Sequence, residues 1–202
     1  MSPPAAPRTV HPIEAESYRI LRSRVDTTGL PPWTRAVVER VVHSSADLAY
    51  VGDLVCHEPD LERAVSLLAA GAPIVTDAEM VAAGITRREA YCFVRDPRTG
   101  DAAAAAATTR SAAAVRVALG EIGPGAVWVV GNAPTALYAL LGLAAEAEPS
   151  LVVGLPVGFV GAVESKQALR DSGLPSVTNR SEKGGSAVAA ATVNALLYGS
   201  NA

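Results

Sequence analysis

The chain has 202 residues, half of them apolar but only 4% aromatic, with a formal net charge of −3 at pH 7. Such a length suits one sizeable domain, and so few aromatics require a core of Ala, Val and Leu packed closely. The charge balance, without any Lys/Arg block, gives no footprint for nucleic acid, and Cys56 and Cys92 are too few for a disulfide framework or a zinc site.

The opening MSPPAAPRTV is Pro-rich rather than apolar, so no secretory signal is read there. Gly, Pro and charged residues break every apolar run before it reaches membrane-spanning length. The expectation is a soluble protein of a reducing, cytoplasmic compartment. Residues 1–10, with three prolines, are expected to form a mobile tail. Pro12 then suits the first turn of a helix running to about Val25, with Ile13, Ile20 and Leu21 as its apolar stripe. Ser17 falls on that stripe, where its hydroxyl either bonds back to a carbonyl one turn earlier or faces a ligand covering the helix. After the turn Thr28–Pro32 a second helix carries VVERVVHSSAD. Arg40 and His43, three apart, lie about 60° from each other on one face of it.

His57 sits in the turn-like HEPD, and Leu61–Ala70 is a short amphipathic helix closed by Gly71. APIVTD follows as a strand, with Asp77 at its end before EMVAAGITR. YCFVRD reads as another strand. The alanine run 102–107 and TTRSAAAVRVAL are strongly helix-forming. Beyond them strand, glycine turn and helix recur. AVWVV feeds GNAPTALYALLGLA, Leu151–Gly154 feeds PVGFVGAVESKQALRDSG, and Val177–Asn179 precedes RSEKGGSAVAAATVNALLYG. That alternation implies parallel strands joined by helical crossovers. We read residues 11–202 as one α/β domain of three layers (α/β/α), with helices on both sides of a largely parallel sheet.

Of the three histidines, His11 lies near the chain's start and His57 in a turn, which leaves His43 best placed for proton transfer. A permanent cation, Arg40, points the same way. Three glycine-bearing turns, Gly131–Thr135, Gly154–Gly161 and Gly184–Ser186, open helices, and bare amides there suit either tight strand-to-helix packing or an anionic ligand. None has phosphate-loop or G-x-G-x-x-G spacing. Arg87, Arg88 and Arg110, taken singly, read as solvated surface, and Glu164 with Lys166 as an exposed helical pair. Asp77 and Glu79, two apart in a loop, make a poor metal pair. G-x-S-x-G is absent.

Several segments in order resemble the precorrin-8X methylmutase family of cobalamin biosynthesis. They are RVVHSS around His43, GAPIVTDAEMVAAGITR (71–87), RDPRTG (95–100), TTRSAAA (108–114), GNAPTAL (131–137), GLPVGFVGAVESK (154–166) and KGGSAVAAATVNAL (183–196). ESYRILRS is only loosely family-like, and the stretch after Arg87 is shorter than the family's. The resemblance implies a homodimer that binds a tetrapyrrole substrate and moves a methyl group from C11 to C12 of precorrin-8X, giving hydrogenobyrinate. It implies His43 as catalytic proton donor and acceptor, and substrate contacts from Ser17, Arg40, Thr86 in GITR, and Arg110 in the TRS motif. It implies no redox cofactor and no protein-bound metal, no nucleic acid and no membrane. Competing readings are the same isomerase acting on a cobalt-loaded ring, a corrinoid carrier that hands on the product, and a nucleotide-binding domain, against which the missing glycine fingerprint counts.

Overall fold

The computed structural model describes residues 11–199, so the tail expected over residues 1–10 lies outside the described residues. Among them six strands form one sheet: β1 (Leu54–Cys56), β2 (Ile74–Thr76), β3 (Tyr91–Cys92), β4 (Val127–Val130), β5 (Leu151–Gly154) and β6 (Ser176–Asn179). Their order is β1-β6-β5-β4-β2-β3, with every pairing parallel except the antiparallel β1 at the edge. Successive side chains of a strand point to opposite faces, which here build two cores. Val127, Val129, Leu151, Val153 and Val177 lie under helices α1 (Pro12–Arg24), α2 (Pro32–Ser45), α4 (Glu58–Ala69), α5 (Glu79–Gly84) and α11 (Ser186–Tyr198). Trp128, Val130 and Val152 lie under α7 (Arg110–Ile122), α8 (Pro134–Gly142), α9 (Ala144–Ala147) and α10 (Ala162–Asp171). The turn α3 (Tyr50–Asp53) leads into β1, and α6 (Pro97–Ala105) packs on α7. The architecture is thus the expected α/β/α with a largely parallel sheet. No helix among the described residues is long and apolar enough to cross a membrane.

Several local expectations need correction. On α1 the buried side chains are Tyr18 and Leu21, while Ile13 and Ile20 are 75% and 38% exposed. The helix touches the fold through α2, so the stripe Glu14–Ser17–Tyr18–Leu21 turns inward and the isoleucines face out. HEPD starts a helix instead of forming an isolated turn: His57 is the N-cap of α4, with Pro59 in its first turn. EMVAAG is the short helix α5 rather than loop. Only two residues of YCFVRD pair as strand, because Asp96 caps α6 immediately afterwards. The alanine-rich stretch divides in two where Ala107 turns left-handed (φ 47°) and Thr109 caps α7.

Glu164 is exposed as expected, but Lys166 is fully buried. Its ammonium donates to Asn179 Oδ1 at 2.9 Å, to the Ser181 carbonyl and to the Lys183 carbonyl at 2.7 Å. Burial lowers its pKa to about 8, so at neutral pH the charge and its donors are retained. Arg88 is likewise no solvated cation, since it donates to the carbonyls of Leu68, Gly71 and Ala72 where α4 ends. At the end of β2, Asp77 accepts from the backbone amides of Gly131 (2.9 Å), Asn132 (2.9 Å) and Ala133 (2.7 Å). The amides of that glycine turn are therefore engaged by the chain's own carboxylate. Burial raises the Asp77 pKa, and the three donors oppose the rise.

Helix α1 is tied to α2 through Glu39, which accepts from Arg22 (2.7 Å), Thr27 (2.6 Å) and Arg35 (3.0 Å). Burial opposes ionisation of this carboxyl, yet the hydrogen bonds from Arg22, Thr27 and Arg35 hold it at about 2, below the ordinary 4.5. A carboxylate depressed in the folded state stabilises it fully above the unfolded pKa and loses that effect as pH falls from there toward the folded value. Glu39→Gln is therefore expected to cost about 3 kcal/mol at pH 7 and to flatten the decline in melting temperature between about pH 5 and 2. Melting curves across that range check this, and an unchanged acid decline in the variant would contradict it.

Candidate active site

Helix α2 begins with Pro32 in its first turn and ends where Ala46 turns left-handed (φ 55°). Arg40 and His43 lie in its last two turns. Their spacing places both side chains on the wall of one open cleft of about 360 Å³, shared with Glu14 from α1, Gly84 from α5, and Ala187, Ala190, Ala191 and Asn194 from α11. The α11 side is almost bare of side chains, which makes a smooth floor.

The His43 ring is gripped from α1. Ser17 Oγ stands 2.8 Å from His43 Nδ1, and the Tyr18 ring stacks on the imidazole with centroids 4.8 Å apart and planes 8° from parallel. Ser17 thus uses its hydroxyl on the histidine, a partner that neither of the alternatives read from its place on the helix included. Arg40 donates to Glu14 Oε1 at 2.7 Å and to the Tyr18 hydroxyl at 3.3 Å. Burial disfavours its charge, but Tyr18 and Glu14 outweigh that and raise its pKa.

Tyr198, at the end of α11, joins the remaining pieces. The Arg40 and Arg87 guanidiniums lie 5.5 Å and 4.8 Å from its ring centroid, within cation–π range. Its hydroxyl is 2.8 Å from Thr86 Oγ1. Asn194 accepts from the Thr86 amide at 3.1 Å and donates to the Gly84 carbonyl at 2.8 Å, which fixes the turn after α5.

Ser17, Arg40 and His43 therefore meet, and Thr86 adjoins them through Tyr198. Arg110 does not join them: it opens α7 on the opposite helical layer, exposed, donating to the Val94 carbonyl at 3.1 Å. Sequence reasoning passed over Glu14, Tyr18, Asn194 and Tyr198. Glu14 and Tyr18 were within reach, because residues 14, 17, 18 and 21 follow helical spacing. Asn194 is a lone amide in an alanine-rich helix, and only tertiary packing brings Tyr198 to this place.

The cleft can exchange a proton through an imidazole and can hold an anionic group through guanidinium. Thiolate chemistry has no support, because burial pushes the Cys56 thiol up to about 12 and raises that of Cys92.

The precorrin-8X methylmutase (CbiC) family model matches residues 12–199. A cobalt-precorrin-8 methylmutase of Salmonella typhimurium is 42% identical over 198 residues, covering 92% of this chain and 93% of the relative. A precorrin-8X methylmutase of Sinorhizobium sp. is 40% identical over 194 residues, with 91% and 92% covered. The solved precorrin-8X methylmutase of Thermus thermophilus superposes with a TM-score of 0.82 at 34% identity, covering 93% of this chain and 96% of that one. The chain belongs to the precorrin-8X methylmutase family, isomerases of cobalamin biosynthesis.

Proposed function

We propose that this isomerase moves the methyl group of precorrin-8X from C11 to C12, giving hydrogenobyrinate, with His43 as proton donor and acceptor. The observation that carries the reading is the imidazole fixed by Ser17 and Tyr18 on the wall of an open cleft beside Arg40. In the reaction the bond from methyl to C11 breaks as the bond to C12 forms, and the π-electrons of the ring rearrange. Substrate and product have the same composition, so the proton that the imidazole lends is taken back. Such proton transfer is typically worth roughly 10²–10⁴-fold. Arg40 and Thr86 hold the acidic arms of the macrocycle, which lies over the alanine floor of α11. No redox or metal chemistry from the protein enters this scheme.

The active form is a homodimer in the cytoplasm. Phe159 and Val160 are 95% and 89% exposed in a loop between two left-handed glycines, an apolar surface that a second copy covers. Arg110 lies on the opposite layer from His43, so it reaches a ring held in the cleft only when a second copy presents it. A second reading is the same isomerase on a cobalt-loaded ring, since the Salmonella relative is named for cobalt-precorrin-8 and the Sinorhizobium relative for precorrin-8X, at 42% and 40% identity. Turnover measured on both rings decides which form this enzyme takes.

His43→Ala is expected to fold and to bind the ring while its turnover falls at least ~10²-fold. Isomerase activity near wild type, followed by the change in visible spectrum, would refute the histidine's role. Mixing His43→Ala with Arg110→Ala protein is expected to restore activity, because a mixed dimer rebuilds one complete site from two defective chains. No gain over the separate variants would contradict a site shared between copies.

A further inference from the structure

We propose that Tyr18 is the positioning residue of the reaction, setting the plane of the His43 ring, and that its hydroxyl separately fixes Arg40. The inference rests on the reading of His43 as the proton-transfer group. An imidazole swings about two bonds, and a hydrogen bond at Nδ1 fixes one point of the ring without defining its plane. The Tyr18 face stops that turning, lying 8° from parallel at a centroid distance of 4.8 Å. Offset stacks at such separations are favourable arrangements of two aromatic rings.

Tyr18 can act as a plate because it is itself immobilised. Only 7% of its surface is exposed, and the Arg22 guanidinium lies 5.5 Å from its ring centroid while also bonding Glu39. At its far end the phenol oxygen accepts from Arg40 Nη1 at 3.3 Å, and the same nitrogen donates to Glu14 at 2.7 Å. Ring and hydroxyl thus serve different partners. Losing the ring removes the face that sets the imidazole plane, whereas losing the hydroxyl alone loosens the cation.

That division predicts a split between kinetic constants. Tyr18→Leu, which removes the plate, is expected to lower kcat about tenfold or more, with KM changed less than about twofold. Tyr18→Phe, which keeps the ring, restores most of kcat but raises KM, since Arg40 loses an acceptor that orients it. Proton NMR of the His43 ring supplies a readout independent of turnover. The ring-current displacement of its C–H signals is expected in wild type and Tyr18→Phe and absent from Tyr18→Leu, whose circular dichroism and cooperative melting show separately that it has folded. In a His43→Ala background, Tyr18→Leu is expected to have no further effect on turnover. A Tyr18→Leu enzyme with unchanged kcat, a Phe variant as slow as the Leu variant, or equal losses with and without His43 would each overturn the proposal. A single His43→Ala variant with near wild-type turnover identifies the histidine assignment, rather than the stack, as the failure.

Discussion

Helix α1 is held against α2 by charge as much as by apolar burial, and His43 takes its position from that contact. Among its described side chains only Tyr18 and Leu21 are buried, too little apolar area to seat a 13-residue helix unaided. Two guanidinium–carboxylate contacts add to it: Arg22 from α1 reaches Glu39, and Arg40 from α2 reaches Glu14. Both carboxylates are well shielded from water, with side-chain exposures of 4% and 14%, so these pairs are screened less than surface ones. Between them lie Ser17 and Tyr18, both of which touch the imidazole. The docking of the first helix and the placement of the His43 ring therefore depend on the same contacts.

The other wall of the cleft comes from small residues. Gly84 has no room for a side chain, because a Cβ there would stand 2.7 Å from Ala190 Cβ, and a Cβ on Gly131 would meet Ala189 Cβ at the same distance. Helices α5 and α11 therefore approach almost backbone to backbone. The alanines of α11 that face α1 and α2 leave space where larger side chains would fill it. The shortage of aromatic residues that marks the whole composition shows here as a flat cleft floor. Asn194 lines the cleft and Tyr198 ends the helix, and both are tied to Thr86.

The alternation of strand, glycine turn and helix made the parallel sheet legible, because each element obeys a local period and a local stop signal. The edge strand β1 was not legible: three residues between two short helices carry no pattern, and only pairing with β6 makes them a strand. Lys166 was misread for a related reason. Its helical position resembles an exposed one until the chain returns beneath it and offers the Ser181 and Lys183 carbonyls. Asp77 showed as a polar residue at a strand end, but its partners are backbone amides 54 to 56 positions away, which no side-chain motif announces. Arg40 and His43 were legible because their relation is one helical spacing. The link from Ser17 to His43 crosses 26 residues and two helices, and the family resemblance marked Ser17 only as a substrate contact.

The most direct measurement is a crystal structure of the protein with hydrogenobyrinate bound. The macrocycle is predicted to lie over Ala187, Ala190 and Ala191, with the His43 imidazole within hydrogen-bond reach of the ring near C11 and C12. A corrin seated elsewhere, such as the separate cavity lined by Trp33, Leu196 and Tyr198, with the imidazole out of reach, would contradict that prediction.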